Sequence, residues 1–192
     1  MFTKELISKY LDEKKLIRQK HPTEDLYIYN YSKGVQFNRQ WDEVTLSCRG
    51  LILDSEMNIV SRPFRKFFNY EEPEAKIPVG VPFKVYDKLD GSLGVSYKVN
   101  GVPYIASRGS FDSVYALEAT RLLHEKYKGS MDKMEDGKTY LFEIILQGKG
   151  RVLTFETDEG VFECNEYDMV KTNNRGLIMA KDLVEGDDID IR

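Results

Sequence analysis

The sequence predicts an α+β protein built on antiparallel sheets. Three observations carry that expectation. Short runs of β-branched and aromatic residues recur from residue 26 onward, glycine-bearing turns separate them, and only two or three stretches show helical periodicity. At 192 residues, 41% hydrophobic and 12% aromatic, the chain has the length of one domain and enough apolar mass for a core. No Pro/Ser-rich linker, repeat or charge block divides it, so residues 1–192 read as a single domain.

Taken in order, residues 3–17 place Leu6, Ile7, Tyr10, Leu11 and Ile17 at helical spacing between charges, which predicts an amphipathic first helix. LYIYNY (26–31), LSCRGLILD (46–54), NIVSRPF (58–64) and PFKVYDKL (82–89) read as strands, as do GVSYKV (94–99) and VPYIAS (102–107). Asn100-Gly101 joins the last two with the residues that a type I′ hairpin turn demands. Residues 112–128 set Ala116, Ala119, Thr120, Leu123 and Tyr127 on one helical face, with Gly129 as the expected stop. Strands resume with TYLFEIIL (139–146), RVLTFE (151–156) and GVFECNEYDMV (160–170).

Composition narrows the chemistry. A net charge of −4 argues against a protein that coats nucleic acid nonspecifically, although a local basic pocket can still hold phosphates. Two cysteines without a CxxC pair argue against a disulfide framework or zinc site and suit a reducing cytoplasm. The N-terminal MFTKELISKYLDEKK lacks the apolar region of a signal peptide, and no apolar run approaches a membrane span. With only His21 and His124, a Ser-His-Asp triad or multi-histidine metal site has little to work with. Any chemistry falls to lysine, arginine and carboxylates.

Lys88-Leu89-Asp90-Gly91-Ser92 is the first candidate. A lysine nucleophile needs its pKa lowered from about 10.4 by desolvation or neighbouring cations, and Lys88 ends an apolar run. Gly91 permits a tight turn or close approach to a ligand; the bland alternative is a solvated Asp-Gly turn. Arg49 lies in the otherwise apolar Ser47–Leu53 run, which asks for an ion pair or a bound anion. Arg62, Arg65 and Lys66 interleave with Phe64, Phe67, Phe68 and Tyr70; the ordinary alternative is an aromatic cluster with snorkelling stems. Ser107-Arg108-Gly109-Ser110 ends a strand and precedes a helix, a good place to meet a phosphate. Glu143 is a lone carboxylate in Leu141–Ile145 and needs a cation, a metal or a ligand hydroxyl. One candidate nucleophile, separate cations, an embedded carboxylate and no histidine base suit phosphoryl or nucleotidyl transfer.

These motifs resemble the covalent nucleotidyltransferases, the superfamily of ATP-dependent ligases and capping enzymes. Lys88-Leu89-Asp90-Gly91 matches their K-x-D-G signature. The likeness is greatest to phage RNA ligases that repair cleaved tRNA. It runs through Tyr29-Asn30-Tyr31, Cys48-Arg49-Gly50, Arg62-Pro63, Lys66–Asn69, K-x-D-G-S, Ser107–Ser110 and Phe142-Glu143, covering about residues 25–180. The resemblance implies the nucleotidyltransferase fold, antiparallel sheets flanking a nucleotide pocket. It implies that Lys88 attacks the ATP α-phosphate and holds AMP, and that Arg49 and Lys66 neutralise phosphate charge. Asp90 and Gly91 would shape the turn, and Arg108 would lie near phosphate or ribose. Glu143 would hold ribose hydroxyls or help to bind Mg²⁺. AMP would pass to an RNA 5′-phosphate, which is then joined to a 3′-hydroxyl. RNA ends, tRNA among them, are the implied partners, in the host cytoplasm for a phage-borne protein.

Two departures stand out. Glu159-Gly160-Val161, the one E-G-V in the chain, follows Glu143 more closely than the family pattern leads one to expect. Glu159 is thus either a metal-associated carboxylate or part of an ordinary turn. No K-x-K pair follows it; Lys171 and Lys181 stand singly. The expectation is therefore an adenylyltransferase-like domain incomplete at its C-terminal end. It would be a truncated ligase, one half of a split enzyme needing a second polypeptide, or a catalytically incomplete nucleotide- or RNA-binding module.

Overall fold

The computed structural model describes residues 2–69, 71–75, 80 and 91–145, together with the strands Thr154–Thr157, Gly160–Glu163 and Leu177–Ala180. The strand expected over 82–89, with Lys88, lies outside the described residues, and so do Asp90 and Glu159. The architecture is α+β with antiparallel sheets. The chain divides into two compact units, Met1–Leu89 and Asp90–Arg192.

In the first unit, α1 (Lys4–Asp12) starts at Thr3, whose side chain accepts the Leu6 N–H at 3.2 Å. It is shorter than the expected 3–17. Lys14 turns to φ 54°, and the chain continues as β1 (Leu16–Lys20), paired antiparallel with β2 (Leu26–Tyr31). A left-handed residue cannot continue a right-handed helix, so Ile17 belongs to a strand and is 56% exposed.

Two short helices follow, α2 (Lys33–Phe37) and α3 (Glu43–Ser47), neither of which hydrophobic periodicity revealed. A capping box starts α3. The Asp42 carboxylate accepts the Val44 and Thr45 N–H groups at 3.0 and 2.9 Å, and the Thr45 hydroxyl accepts the Asp42 N–H at 2.8 Å. Leu46 and Ser47 are therefore helical, and the strand expected from residue 46 begins only at Arg49, as β3 (Arg49–Asp54). The run 58–64 contributes a short β4 (Ile59–Ser61), ending before Pro63, which has no N–H to give a ladder. The sheet order is β1-β2-β3-β4. On one face Ile7, Leu16, Tyr29, Cys48, Leu51 and Leu53 form a buried cluster.

In the second unit, β5 (Ser92–Val99) and β6 (Val102–Ser107) form the expected hairpin. Asn100 and Gly101 take φ 50° and 80°, the two positive values a type I′ turn requires. Helix α4 (Val114–Glu125) starts at Ser113 and buries Ala116, Ala119, Leu122 and Leu123. Its Thr120 hydroxyl accepts the Ile105 N–H at 2.9 Å and donates to the Ile105 carbonyl at 3.1 Å, so the helix covers the outer edge of β6. Gly129 does not stop this helix. The Lys126 and Tyr127 N–H groups close it on the Leu122 carbonyl without a left-handed residue, and Gly129 falls inside α5 (Lys128–Met131). The second sheet has the order β10-β7-β5-β6, with β7 at Leu141–Ile144 and β10 at Leu177–Ala180. β8 (Thr154–Thr157) and β9 (Gly160–Glu163) pair separately. The expected strands over 139–146 and 160–170 thus contain β7 and β9, and that over 151–156 overlaps β8; β10 was not foreseen.

Candidate active site

The residues singled out by sequence are shared between the units: Arg49 and Lys66 lie in the first, Gly91, Arg108 and Glu143 in the second.

In the first unit the α3 capping box decides where the cations stand. Because α3 ends at Ser47, Cys48 caps it and Arg49 opens β3 opposite Asn30, with Gly50 as the extra residue of a bulge in β3. Gly50 then takes φ 85°, a value open to glycine but strained for a side chain. The irregular segment 62–69 is tied to α3 by the Lys66 N–H, which donates to the Leu46 carbonyl at 2.8 Å, and by Arg65, 2.8 Å from Glu43. This anchoring gathers rings around the two cations. The Arg49 guanidinium lies 5.1 Å from the Phe67 ring centroid. Lys66 Nζ lies 4.2 Å from the Phe68 ring and 5.8 Å from Trp41, and donates to the Phe67 carbonyl at 2.6 Å. Trp41 packs edge-on against Phe68 and Tyr31 at 5.5 and 4.9 Å. Arg49 thus stands beside Phe67, and Lys66 beside Phe68 and Trp41, ring faces that favour a positive charge. Trp41 escaped sequence reasoning, although Asp42-x-x-Thr45 signals a helix start directly after it.

In the second unit Gly91 directly precedes β5, and Glu143 on β7 pairs with Leu93. The Glu143 carboxylate Oε1 accepts the Gly91 N–H at 2.7 Å. A Cβ on Gly91 would stand 2.6 Å from the Ile144 carbonyl oxygen and 3.1 Å from Glu143 Oε1. The backbone after Asp90 therefore lies directly on β7, and only glycine fits. A partner of the embedded carboxylate is thus the main chain of the K-x-D-G motif itself, a charge-assisted hydrogen bond.

Arg108 is exposed, one residue past the end of β6. Ser107 pairs with Gly94 near the start of β5, and Ser92, which opens β5, pairs with Ile144 at the end of β7. Arg108, Gly91 and Glu143 therefore lie toward the same end of the second sheet. Serines fix the loop that carries Arg108. The Ser107 N–H and hydroxyl both donate to the Ser110 carbonyl, at 2.9 and 3.1 Å, and the Ser113 hydroxyl donates to that of Ser107 at 3.0 Å. Each unit thus presents positive charge on a fixed frame, and the second adds one half-buried carboxylate. These are elements that can hold phosphate and ribose.

Comparison with known proteins agrees with these motifs. A family model described as RNA ligase matches residues 47–162, more than half of the chain. A bifunctional polynucleotide kinase/RNA ligase of Autographa californica nuclear polyhedrosis virus is 39% identical over 115 residues, 53% of this chain and 16% of that protein. An RNA ligase of Rhodothermus phage RM378 is 32% identical over 114 residues, 46% of this chain and 25% of the relative. An RNA ligase of Thermovibrio ammonificans is 30% identical over 118 residues, 58% and 31% of the two chains. The matched region thus spans less than a third of each of these relatives. On the match of the family model, this chain belongs to the RNA ligase family.

Proposed function

We propose that residues 1–192 supply the adenylyltransferase part of an ATP-dependent RNA ligase, with the nucleotidyltransferase fold and Lys88 as its nucleophile. The observation that carries this reading is the bond from the Gly91 N–H to Glu143. In a chain of the RNA ligase family, the glycine of Lys88-Leu89-Asp90-Gly91 is seated on the carboxylate strand with no room for a side chain.

In the proposed reaction the neutral Lys88 amine attacks the α-phosphorus of ATP. An N–P bond forms, the bond to the bridging oxygen breaks, and pyrophosphate leaves with its electron pair while the amine gives up a proton. An RNA 5′-phosphate oxygen then takes the AMP and frees the lysine. Finally an RNA 3′-hydroxyl attacks the activated 5′-phosphate and AMP departs. Arg49 and Lys66 hold phosphate oxygens and offset the charge that builds on them, and Arg108 does the same or contacts the ribose. Asp90 and Gly91 set the turn that aims Lys88, and Glu143 fixes that turn through the Gly91 N–H. Among the described residues no three His, Cys, Asp or Glu side chains gather into a metal site. A lone carboxylate still fits Mg²⁺, which is commonly held by one or two carboxylates and the substrate's phosphates. Glu143, with Glu159 as a second candidate, would be that protein ligand. When bound, Mg²⁺ would offset charge on the leaving phosphates. RNA ends, tRNA among them, are the proposed substrates, and the host cytoplasm the proposed location. Among the described residues no helix is long and apolar enough to cross a membrane.

The test is the intact mass of the protein after incubation with ATP and Mg²⁺. The reading expects the gain of one AMP by the wild type and none by Lys88→Ala. Tight ATP binding by the wild type without an adduct contradicts it. A second reading is a catalytically incomplete nucleotide- or RNA-binding module or half of a split ligase. That reading expects an adduct only when a second polypeptide is added.

A further inference from the structure

Lys66 sits in the irregular segment 62–69, where no strand ladder fixes the backbone. Arg49, by contrast, belongs to β3 and is placed by its pairing with β2. What places Lys66 is α3 and the tryptophan just before its cap. The Lys66 N–H donates to the Leu46 carbonyl at 2.8 Å, its neighbour Arg65 pairs with Glu43 at 2.8 Å, and its Nζ lies 5.8 Å from the Trp41 ring centroid. The position of Lys66 therefore follows that of α3.

Helix α3 has only the residues Glu43–Ser47, too few to keep its shape by its own hydrogen bonds. Its order comes from Asp42, whose two carboxylate oxygens have different tasks. Oδ1 accepts the Val44 and Thr45 N–H groups and so caps the helix. Oδ2 accepts the Tyr10 hydroxyl at 2.8 Å, a bond between partly buried groups 32 positions apart. Partial burial alone would raise the Asp42 pKa, but the hydrogen bonds from Thr45 and Tyr10 hold it below the usual carboxylate value. The bond to Tyr10 is thus charge-assisted at neutral pH. Tyr10 itself stands on α1, which is anchored by the buried Ile7, and its ring packs on the same core cluster as Val44 of α3. The ring supplies packing, and the hydroxyl fixes the direction of the carboxylate.

We propose that Tyr10 is a positioning residue for Lys66, acting through Asp42 and α3. The proposal rests on the phosphate-binding role given to Lys66 above. Without the hydroxyl, Asp42 is tied to one helix instead of two, and α3 can shift with Lys66 attached to it. A displacement of this kind slows a reaction without removing any reacting group.

The test follows single-turnover formation of the lysyl-AMP adduct by the full chain, well below the melting temperature of each variant. Tyr10→Phe keeps the ring and should slow the step at saturating ATP by about tenfold. The half-saturating ATP concentration should move by less than about twofold, because the loss falls on the transition state. Asp42→Asn keeps a good helix cap but offers Tyr10 no carboxylate oxygen, so it should slow the step to the same degree. In the Lys66→Ala background neither substitution should slow the step further by more than about twofold. Trp41, the single tryptophan of the chain, gives a readout that needs no reaction. Without nucleotide, its fluorescence in both variants should shift to the red and quench more readily with acrylamide. The proposal is overturned if Tyr10→Phe forms the adduct at the wild-type rate. It is also overturned if the loss is as large in the Lys66→Ala background, which would mark a general structural effect. If the wild type forms no adduct, the Lys88 reading fails by itself; unchanged Trp41 fluorescence in both variants would then overturn the Tyr10 link as well.

Discussion

Arg49 and Lys66, the candidate cations of the first unit, lie 5.1 and 4.2 Å from phenylalanine ring centroids. Glu143, the candidate carboxylate of the second, holds a backbone N–H at 2.7 Å beside a glycine that has no room for one more carbon. The first arrangement sets half-buried cations against rings, through contacts of about 0.5–2 kcal/mol each. The second fixes the path of the main chain. Substitutions in the first unit should therefore change chemistry with little effect on folding, whereas in the second the same main-chain contacts serve both.

The largest effect is expected at Gly91. Gly91→Ala drives a carbon against the Ile144 carbonyl and should cost about 1–3 kcal/mol of stability in urea unfolding, with AMP-adduct formation falling at least tenfold. Gly94→Ala is the control. Its new carbon would stand 3.0 Å from buried side-chain atoms of Ile105 and Ile144 rather than 2.6 Å from a main-chain oxygen, so the loss should be smaller. Equal losses would remove the special standing of Gly91.

Lys66→Ala and Arg49→Ala should slow adduct formation by about 10²-fold, the usual weight of a preorganised charge on a reacting group. Stability should change by no more than about 2 kcal/mol. Unfolding of either variant would instead make the aromatic cluster structural. Glu143 separates the two roles inside one residue. Glu143→Gln keeps an oxygen for the Gly91 N–H and should stay within about 1 kcal/mol of wild type, while Glu143→Ala loses about 1.5–3 kcal/mol. If Gln also matches wild type in adduct formation, the carboxylate charge has no part in the reaction.

The smallest effect at neutral pH concerns Cys48, wholly buried in the first unit's core. Burial pushes its thiol up from 9.0 to about 12. The unfolded thiol ionises first, so this contribution is present below pH 9 and is lost as pH rises from 9 towards 12. The slope is about 1.4 kcal/mol per pH unit. Stability measured from pH 8 to 11 should fall less steeply for Cys48→Ala than for wild type. At pH 7 mass spectrometry should find Cys48 unalkylated unless the protein is unfolded.

The second unit's hairpin and long helix were legible because their signals are local. Asn100-Gly101 has to turn, and Ala116, Ala119 and Leu123 repeat with helical spacing. The first unit was read less well for two reasons. Its short helices rest on caps at Ser32 and Asp42 rather than on periodicity, and a left-handed Lys14 interrupts a helical pattern that continues to Ile17. In the candidate site the sequence pointed to Glu143 as a carboxylate in need of a partner. That the Gly91 N–H is such a partner depends on the β5–β7 register, which brings together residues 52 positions apart. No local pattern encodes that pairing.

Lys88 of Lys88-Leu89-Asp90-Gly91 is the residue proposed to carry AMP. Tandem mass spectrometry of the ATP- and Mg²⁺-treated protein, digested without acid, tests it most directly. The account predicts AMP on Lys88, lost on acid treatment as a phosphoramide should be. AMP attached to another residue, or an unmodified Lys88 in protein that binds ATP, would contradict it.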